Sequence, residues 1–332
     1  MLPIAIDAMG GDDAPAAILA GAHAAAAAGI PVVLVGPAGL DTSRPETSGP
    51  GGDTLELIEA SEIIGMHDDP AQGVRRKKDS TLVRAAEAVR DGRAGAMISA
   101  GNTGATMASA LLRMGRIRGV KRPAIATPIP VPGSTPTVLL DAGANAEVQA
   151  EWLIEFAVMG SVYARHRFDI ASPRVGLLSI GEEPGKGDQL RKDAYDLLSS
   201  APGIDFVGNV EGRDVMSDQV DVCVTDGFTG NVVLKTLEGG MKAVIGALFE
   251  AFSSSPEYQA HADGLMPALL PLYEVLSPDT YGGAILLGVD GVCIIAHGSS
   301  SPIAIENGIG VARDMIEHDI VSEIEDAIAL LS

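Results

Sequence analysis

Cysteine and basic residues are both scarce in this chain of 332 residues. The two cysteines, Cys223 and Cys293, are too few for a disulfide framework, and both stand in apolar runs typical of buried strands. We expect both to be unreactive core residues. Lys and Arg number 23 against 44 Asp and Glu, which gives a net charge of −21. This balance argues against general nucleic-acid binding, which requires many cations to neutralise phosphates. An acidic partner would therefore need a local basic patch.

Segments for export or for crossing a membrane are not evident. The first residues lack the basic region of a signal peptide, and Asp7 interrupts their apolar run. Two long uncharged windows, 94–112 and 123–140, contain a Gly-Asn-Thr-Gly turn and several prolines respectively. Neither is typical of a spanning helix. We therefore expect a cytoplasmic protein with, at most, peripheral contact with the inner face of the membrane.

Short apolar runs alternate with helical patterns along the whole chain. The clearest strand predictions are PIAIDAMG, PVVLVG, TLELIEAS, AMISAG, RPAIATPIPV, TPTVLLD, RVGLLSIG, IDFVGNV, VDVCVTDG and GVCIIAHG. A first helix is predicted to follow Asp12 or Asp13, either of which can cap it, and to end at Gly29. The other predicted helices cover about 80–92, 104–114, 147–166, 188–199, 229–252, 263–276 and 302–317. This alternation predicts a doubly wound, mostly parallel sheet with helices on both faces, in a three-layer αβα arrangement. Because no long linker interrupts it, we predict one domain over 1–332, with a helical projection over about 237–278.

Four junctions between a predicted strand and a predicted helix combine glycine with small polar side chains. They cover residues 99–104, 181–187, 226–231 and 297–301. In open α/β sheets, ligands bind beyond the carboxyl ends of the strands. Glycine permits close approach of the backbone, and free N–H groups at the start of a helix attract anions. One such loop is typical of an ordinary tight turn, but four in one chain favour a site for an anionic ligand.

Several familiar catalytic motifs are missing. The chain has no G-x-G-x-x-G for a dinucleotide and no G-x-S-x-G for a serine esterase. Residues 181–187 read G-x-x-x-G-K-G, which is one residue short of a P-loop and lacks its Ser or Thr. The six histidines are scattered without metal-ligand spacing, so we expect no metal site.

Seven sequence blocks closely resemble the PlsX family of phosphate acyltransferases. They are AIDAMGGDDAP, EIIGMHDDPAQGVRRKKDSTLVRAA, SAGNTGA, LLDAGAN, SIGEEPGKG, TDGFTGNVVLKTLEG and YGGAILLGVDGVCIIAHGSS, in order from residue 4 to about 301. These enzymes make acyl-phosphate from acyl-ACP, the acylated acyl carrier protein, and inorganic phosphate. The resemblance implies bacterial phospholipid synthesis, a homodimer, no cofactor, and a downstream glycerol-3-phosphate acyltransferase as partner. It also implies a fold related to phosphate acetyltransferases and isocitrate-type dehydrogenases.

Acyl transfer from a thioester to phosphate makes modest demands on the protein. Phosphate is already an anionic nucleophile near neutral pH, and a thiolate with a parent pKa near 8.5 departs without strong acid help. What remains is to position phosphate, to offset its charge and to stabilise an oxyanion. Under the resemblance, the candidate catalytic residues are Lys186, His297 and Asn231. The candidate residues for binding phosphate or acyl-phosphate are Gly101, Asn102, Thr103, Gly104, Gly227, Thr229, Gly230 and Ser299.

Each of these assignments has a simpler structural alternative. Lys186 could be a solvated loop lysine, and His297 could cap the following helix. Asp7 and Asp12 would repel phosphate, so we expect them to order the first loop or to hold a cation. For Asp141, Asn145 and Asp226, ordinary turn chemistry is the alternative.

Basic residues cluster in two places, which are the candidate docking surfaces for the acidic acyl carrier protein. The first cluster is Arg75, Arg76, Lys77 and Lys78, and the second contains Arg113, Arg116, Arg118, Lys121 and Arg122. Arg113 and Arg116 lie one turn apart on the helix that is predicted to start at residues 102–104, which would connect this cluster to the site. A solvated charged face is the alternative for both clusters.

Two other functions remain compatible with the sequence. One is a short-chain acyl-CoA phosphotransferase, and the other is a non-catalytic scaffold that binds acyl carrier protein and downstream acyltransferases. Membrane contact is expected to be weak, since there is no Lys or Arg between Lys242 and Arg313 to attract anionic lipid.

Overall fold

The computed structural model describes residues 1–43 and 54–331, so most of the Gly/Pro/Ser-rich loop predicted near 41–53 lies outside the described residues. The described part contains eleven strands. They are β1 (Ile4–Asp7), β2 (Val32–Gly36), β3 (Glu56–Glu59), β4 (Ala96–Ser99), β5 (Ala124–Ile129), β6 (Thr137–Leu140), β7 (Arg174–Leu178), β8 (Asp205–Val210), β9 (Val222–Val224), β10 (Ala284–Leu287) and β11 (Val292–Ile295).

Ten α-helices connect or flank these strands in the described part of the chain. They are α1 (Ala16–Ala27), α2 (Pro70–Arg76), α3 (Thr81–Arg90), α4 (Thr103–Arg113), α5 (Ala150–Phe168), α6 (Gln189–Ser200), α7 (Gly227–Phe252), α8 (Pro256–Leu276), α9 (Pro302–Glu317) and α10 (Ile320–Ala329). Two short 3₁₀ helices cover Gly212–Met216 and Pro278–Tyr281. Strand β10 and helices α2 and α10 have no counterpart among the elements predicted from the sequence.

All eleven strands form one sheet in the order β3-β2-β1-β4-β11-β10-β5-β6-β9-β7-β8. Seven of the ten pairings are parallel. The exceptions are β10 against both of its neighbours and β5 against β6. Because of these reversals, β1 to β4 and β11 run in one direction, whereas β6 to β9 run in the opposite one. The loops that follow β4 and β11 therefore lie at one edge of the sheet, and those that follow β7 and β9 lie at the other.

Helices cover both faces of the sheet, which confirms the predicted three-layer αβα fold. One face buries side chains of α1, α5, α6, α9 and α10, including Phe156 and Tyr163 of α5. The other face buries side chains of α2, α3 and α4 and packs against the first turns of α7. Both cysteines lie on this second face and are fully buried, as predicted. The burial of each raises its thiol pKa to about 12.

Polar residues at three strand-to-helix junctions determine where the following helices begin. Asn102, Asp226 and Ser301 are the N-caps of α4, α7 and α9, and each side chain accepts a hydrogen bond from a backbone N–H in the first turn. An N-cap of this kind is worth about 1 kcal/mol of helix stability. The same residues that the sequence analysis placed in ligand loops thus also start helices.

Helices α7 and α8 form a hairpin that is largely exposed. Within α7 only Gly227 and Gly230, both in the first turn, are buried, and within α8 only Ala262 is buried. Large apolar side chains such as Val244, Leu265 and Tyr273 are at least half exposed. Among the described residues, no helix has both the length and the apolar character that crossing a membrane would require.

Candidate active site

The loop after β6 is organised by one buried carboxylate. Asp141 accepts hydrogen bonds from the backbone N–H groups of Ile125, Gly143, Ala144 and Asn145 at 2.8–3.1 Å, and from the Asn145 side chain at 2.9 Å. Burial raises the pKa of Asp141, although hydrogen bonds from Ala144, the Asn145 side chain, Ile125 and Gly143 oppose the shift. Since its oxygens are occupied by the loop, Asp141 has the structural role that was the alternative in the sequence analysis.

Asp7 has a similar role at the end of β1. Its carboxylate accepts from the Ser99 hydroxyl at 2.7 Å and from the Met9 N–H at 3.2 Å. A Cβ on Gly10 would lie 2.6 Å from the carboxylate and 2.7 Å from the Gly101 nitrogen. The absence of a side chain at Gly10 therefore lets the first loop pack directly against the loop after β4.

Asn102 holds the beginning of α4 in place. Its Oδ1 accepts from the Ala105 N–H at 3.0 Å, and its Nδ2 donates to the carbonyls of Met66 and Asp68 at 3.1 Å each. The side chain is 9% exposed, and its amide is committed to these contacts. Asn102 therefore positions the backbone of the next residue, Thr103, and the segment around Met66.

The beginning of α7 is held by an arginine that the sequence analysis did not single out. Arg191 of α6 is 9% exposed and forms an ion pair with Asp226, and it also donates to the hydroxyls of Thr225 at 3.0 Å and Thr229 at 3.2 Å. Burial opposes ionisation of Asp226, but hydrogen bonds from Thr229 and Arg191 outweigh it and lower its pKa. A charged pair thus fixes the helix at its N-cap.

Two glycines at the start of α7 are required by close backbone contacts. A Cβ on Gly230 would lie 1.9 Å from the Asp141 carbonyl oxygen, and one on Gly227 would lie 2.7 Å from the Asn145 carbonyl oxygen. The first turn of α7 therefore packs directly on the loop that Asp141 organises. This packing fixes the position of Asn231 one residue further along.

The loop after β11 carries His297. The Ser299 N–H lies 3.3 Å from Nδ1 of His297, and the Ser299 hydroxyl lies 2.8 Å from the same atom. Because a backbone N–H can only donate, Nδ1 accepts and the proton of the neutral ring resides on Nε2. The Asp12 N–H donates to the Gly298 carbonyl at 2.7 Å, which joins this loop to the first one.

A cavity of about 340 Å³ lies over the central strands, between the beginning of α4 and the first four turns of α7. Its polar and charged side chains are Asp12, Thr103, Thr127, Asn231, Lys235, Glu238, Tyr281 and His297. Its apolar side chains include Ile125, Ile129, Leu234, Leu237, Met241, Ile295, Leu276 and Pro278. Lys235 contributes the cavity's single Lys or Arg side chain among the described residues, and its Nζ lies 2.8 Å from Glu238.

Comparison with known proteins places this architecture in a family. Residues 2–323 match the sequence model of a family described as "Fatty acid synthesis protein". The chain belongs to this family, which is the PlsX family of phosphate acyltransferases. It is 44% identical to the phosphate acyltransferase of Exiguobacterium sp. over 333 residues, which cover 99% of this chain and 100% of the relative. It is 47% identical to that of Pelotomaculum thermopropionicum over 332 residues, or 98% and 95% of the two chains.

A solved structure supports the fold assignment. The branched-chain phosphotransacylase from Enterococcus faecalis V583 superposes with a TM-score of 0.58 at 13% identity, covering 95% of this chain and 99% of that one. At this identity the likeness concerns the fold alone. Family membership confirms the predictions of PlsX kinship and of an acyltransferase enzyme, and it argues against a non-catalytic scaffold.

In this PlsX enzyme, the cavity brings together four of the predicted site residues. Gly101, Thr103, Asn231 and His297 all line it. Six other predicted residues are close in sequence to these lining residues but do not line the cavity themselves. They are Asn102, Gly104, Gly227, Thr229, Gly230 and Ser299. For Asn102, Gly227 and Gly230 the contacts described above give the reason, since they hold the loops that present the lining residues.

Lys186 is not among the residues that line the cavity. It is exposed in the turn after β7, at the sheet edge opposite to the loop after β11. Its side chain lies against Gly181, where a Cβ would come within 2.9 Å of Lys186 Cγ. A catalytic role for Lys186 remains a prediction, and the structure offers Lys235 as a second candidate cation. Lys235 lies four residues, or about one helical turn, after Asn231 at the end of the predicted loop. This spacing is the sequence signal that would have identified Lys235 as a candidate.

The two basic clusters differ in their surroundings. In the first, Arg75, Arg76 and Lys78 are exposed, while Lys77 pairs with Asp68 at 2.6 Å. In the second, Arg113 is half-buried beside Glu87 at 3.7 Å, and Arg116 donates to the carbonyl of Lys121.

Proposed function

We propose that this enzyme transfers the acyl group of acyl-ACP to inorganic phosphate within the cavity between α4 and α7, releasing acyl-phosphate and free acyl carrier protein for glycerophospholipid synthesis. The observation that carries the proposal is the composition of this cavity. One wall combines the start of α4 with Asn231, Lys235 and His297, and most of the other lining side chains are apolar. A site for an anion and a site for a hydrocarbon chain are thus contiguous.

The polar wall suits phosphate. Thr103 is the first residue of α4, so its backbone N–H and hydroxyl lie at the positive end of an eleven-residue helix. The amide of Asn231 can donate to a phosphate oxygen or to the oxyanion. Lys235 lies four residues after Asn231, so both side chains project from the same face of α7. Its ammonium would offset part of the phosphate charge.

The apolar wall suits an acyl chain. Along α7, the residues that line the cavity run from Asn231 to Met241, which corresponds to about 15 Å at 1.5 Å per residue. Leu234, Leu237 and Met241 provide the apolar side chains of this wall. Each methylene buried there would contribute about 0.8 kcal/mol to binding. This extent favours a long acyl chain over the short chains of the alternative acyl-CoA phosphotransferase.

The reaction can be followed atom by atom. A phosphate oxygen attacks the thioester carbonyl carbon and forms a C–O bond, and the tetrahedral oxyanion is stabilised by N–H donors. The C–S bond then breaks, and its electron pair leaves with sulfur. The thiolate takes up the proton that the attacking hydrogen phosphate gives up, and we assign the Nε2–H of His297 to stabilise the departing sulfur by a hydrogen bond.

The experiment that tests this function measures thiol release from palmitoyl-ACP with and without phosphate. Strict dependence on phosphate, with acyl-phosphate as the product, is the expected result. Hydrolysis without phosphate, or faster turnover of acetyl-CoA or butyryl-CoA than of palmitoyl-ACP, would contradict the proposal.

Variants of two lysines decide which one offsets the phosphate charge. Losing a hydrogen bond to a charged group costs about 1.5–3 kcal/mol, so Lys235→Met should raise the KM for phosphate by roughly 10- to 150-fold. Lys242→Met is the matched control, since Lys242 is exposed on the same helix and does not line the cavity. If Lys186 is the catalytic cation instead, Lys186→Ala should lower the rate at least about 100-fold while Lys235→Met leaves it intact.

The proposal extends to the surroundings of the enzyme. The resemblance and the exposed apolar side chains of α7 and α8 support a homodimer and weak peripheral membrane contact. A downstream glycerol-3-phosphate acyltransferase would receive the reactive acyl-phosphate. We propose a cytoplasmic location, and the reaction as written requires no cofactor.

A further inference from the structure

We infer that the acyl carrier protein docks on the exposed cations at the end of α2, namely Arg75, Arg76 and Lys78. This inference rests on the proposed function and adds a location for its protein substrate. The sequence alone offered two basic clusters and connected the second one to the site through Arg113 and Arg116, whereas three features of the structure favour the first.

The first feature is the connection between α2 and the cavity. The segment before α2 is bonded to Asn102 at the start of α4, and Met66 in that segment lines the cavity. Pro70, the first residue of α2, lies against Gly104, where a Cβ would come within 2.7 Å of Pro70 Cγ. A seven-residue helix rises about 9 Å from its first to its last residue. The cations at the end of α2 therefore lie close to the polar wall.

The second feature is the availability of these cations. Arg75, Arg76 and Lys78 are exposed and form no ion pair with any residue that the structure describes. The nearby carboxylates are already engaged. Asp68 pairs with Lys77, Asp69 caps α2 through the Gln72 N–H, and Asp79 accepts from Ser61 and lies 3.4 Å from Arg84. The three cations are thus left to face an outside partner.

The third feature is that the second cluster is largely committed to its own fold. Arg113 lies beside Glu87, and Lys121 lies 3.1 Å from the buried carboxylate of Glu155. The guanidinium of Arg122 lies 5.0 Å from the centroid of the Trp152 ring. This cluster also begins at the far end of α4, about 15 Å along the helix from Thr103.

The negative net charge of the chain makes the three cations at the end of α2 important for docking an acidic carrier. The chain carries a net charge of −21, so an acidic carrier is repelled by most of its surface. A local group of three unpaired cations at the end of the helix that starts against α4 would orient the carrier during its approach. Such steering weakens as salt screens the charges.

The test compares two charge-reversal variants. One is Arg75→Glu with Arg76→Glu and Lys78→Glu, and the control is Arg116→Glu with Arg118→Glu in the second cluster. Binding of unacylated acyl carrier protein and the KM for palmitoyl-ACP are measured at low and high salt. The α2 variant should weaken binding and raise this KM at least about tenfold at low salt, with the difference shrinking at high salt. The KM for phosphate and the control variant should remain near wild type.

Three outcomes would overturn the inference. They are an effect confined to the second cluster, an effect on neither cluster, or an equal loss for both substrates that is reproduced by the milder glutamine variants of Arg75, Arg76 and Lys78. Each of these outcomes bears on the docking site only if the wild-type enzyme turns over palmitoyl-ACP with phosphate. Failure of that wild-type reaction would instead refute the proposed function, so the two failures are distinguishable.

Discussion

Replacement of Arg191 by methionine tests how the start of α7 is held. Arg191 and Asp226 are about nine-tenths buried, and their ion pair is accompanied by hydrogen bonds from Arg191 to Thr225 and Thr229. Removing one partner of a buried pair typically costs about 3–5 kcal/mol, because the other charge is left uncompensated. The Asp226 carboxylate would still accept from the N–H and hydroxyl of Thr229 at 2.8 Å each. We therefore expect a loss of about 3 kcal/mol, at the lower end of that range.

The assay is urea unfolding at neutral pH, with Arg213→Met as the control. Arg213 also lies close to carboxylates, namely Glu182 at 3.2 Å, Glu211 at 3.0 Å and Asp214 at 3.8 Å, but its side chain is 69% exposed. Exposed pairs contribute about 0–1 kcal/mol, so the control should lose less than about 1 kcal/mol. Adding Asp226→Asn to Arg191→Met should restore part of the stability, since the uncompensated charge is then gone.

The pH dependence of this difference has a definite sign. The pKa of Asp226 is lowered in the folded state, so the pair's contribution is fully present above the ordinary Asp pKa of about 3.9. It is lost as the pH falls through the folded-state pKa. The gap between wild type and Arg191→Met should thus be constant from about pH 5 to 8 and shrink in stronger acid. A loss below about 1 kcal/mol at neutral pH, or no coupling to Asp226, would refute the reasoning.

Three further predictions concern the cavity, the core and the hairpin. Met241→Trp should fill the far end of the apolar wall and reduce kcat/KM for long acyl chains about fourfold per excluded methylene. Leu248→Trp, beyond the cavity on the same helix, is the control. An unchanged dependence of kcat/KM on chain length would contradict the role of Met241 in binding the acyl chain. Cys223 and Cys293, with pKa values raised to about 12 by burial, should react with thiol reagents only after unfolding, so labelling of the native protein would contradict their burial. Vesicle co-sedimentation should be weak and insensitive to phosphatidylglycerol content, since α8 carries no Lys or Arg; a sharp increase with anionic lipid would show a basic contact surface elsewhere, with 113–122 as the first segment to examine.

Local sequence signals located most of the secondary structure. The helix predicted over 302–317 has those bounds in the structure, and the one predicted over 229–252 begins only two residues earlier, at Gly227. These helices have clear apolar periodicity and a capping side chain at their start, both of which are encoded within a few residues. The resemblance of the blocks then led to the family, which the comparisons confirmed.

The missed elements show where local signals become insufficient. The seven residues of α2 include Gly73 and offer too little apolar periodicity to predict a helix, yet α2 packs on α4 and is capped by Asp69. The four residues of β10 follow two glycines and pair antiparallel with both neighbours. By contrast, α10 has apolar residues at helical spacing, including Ile320, Ile324 and Ile328, so its pattern is present in the sequence itself.

The amino-acid sequence alone determines which loops carry glycine and polar groups, where cations cluster, and how acidic the chain is. The tertiary structure alone decided which of these groups meet. The reversal at β10 and β6 sends the carboxyl ends of the two strand groups to opposite edges, which separates Lys186 from the loop of His297. Arg191 finds Asp226 35 residues away, and Thr103 shares a cavity with Lys235. Such meetings depend on strand order and helix packing, which are set by the whole core and not by any short stretch of sequence.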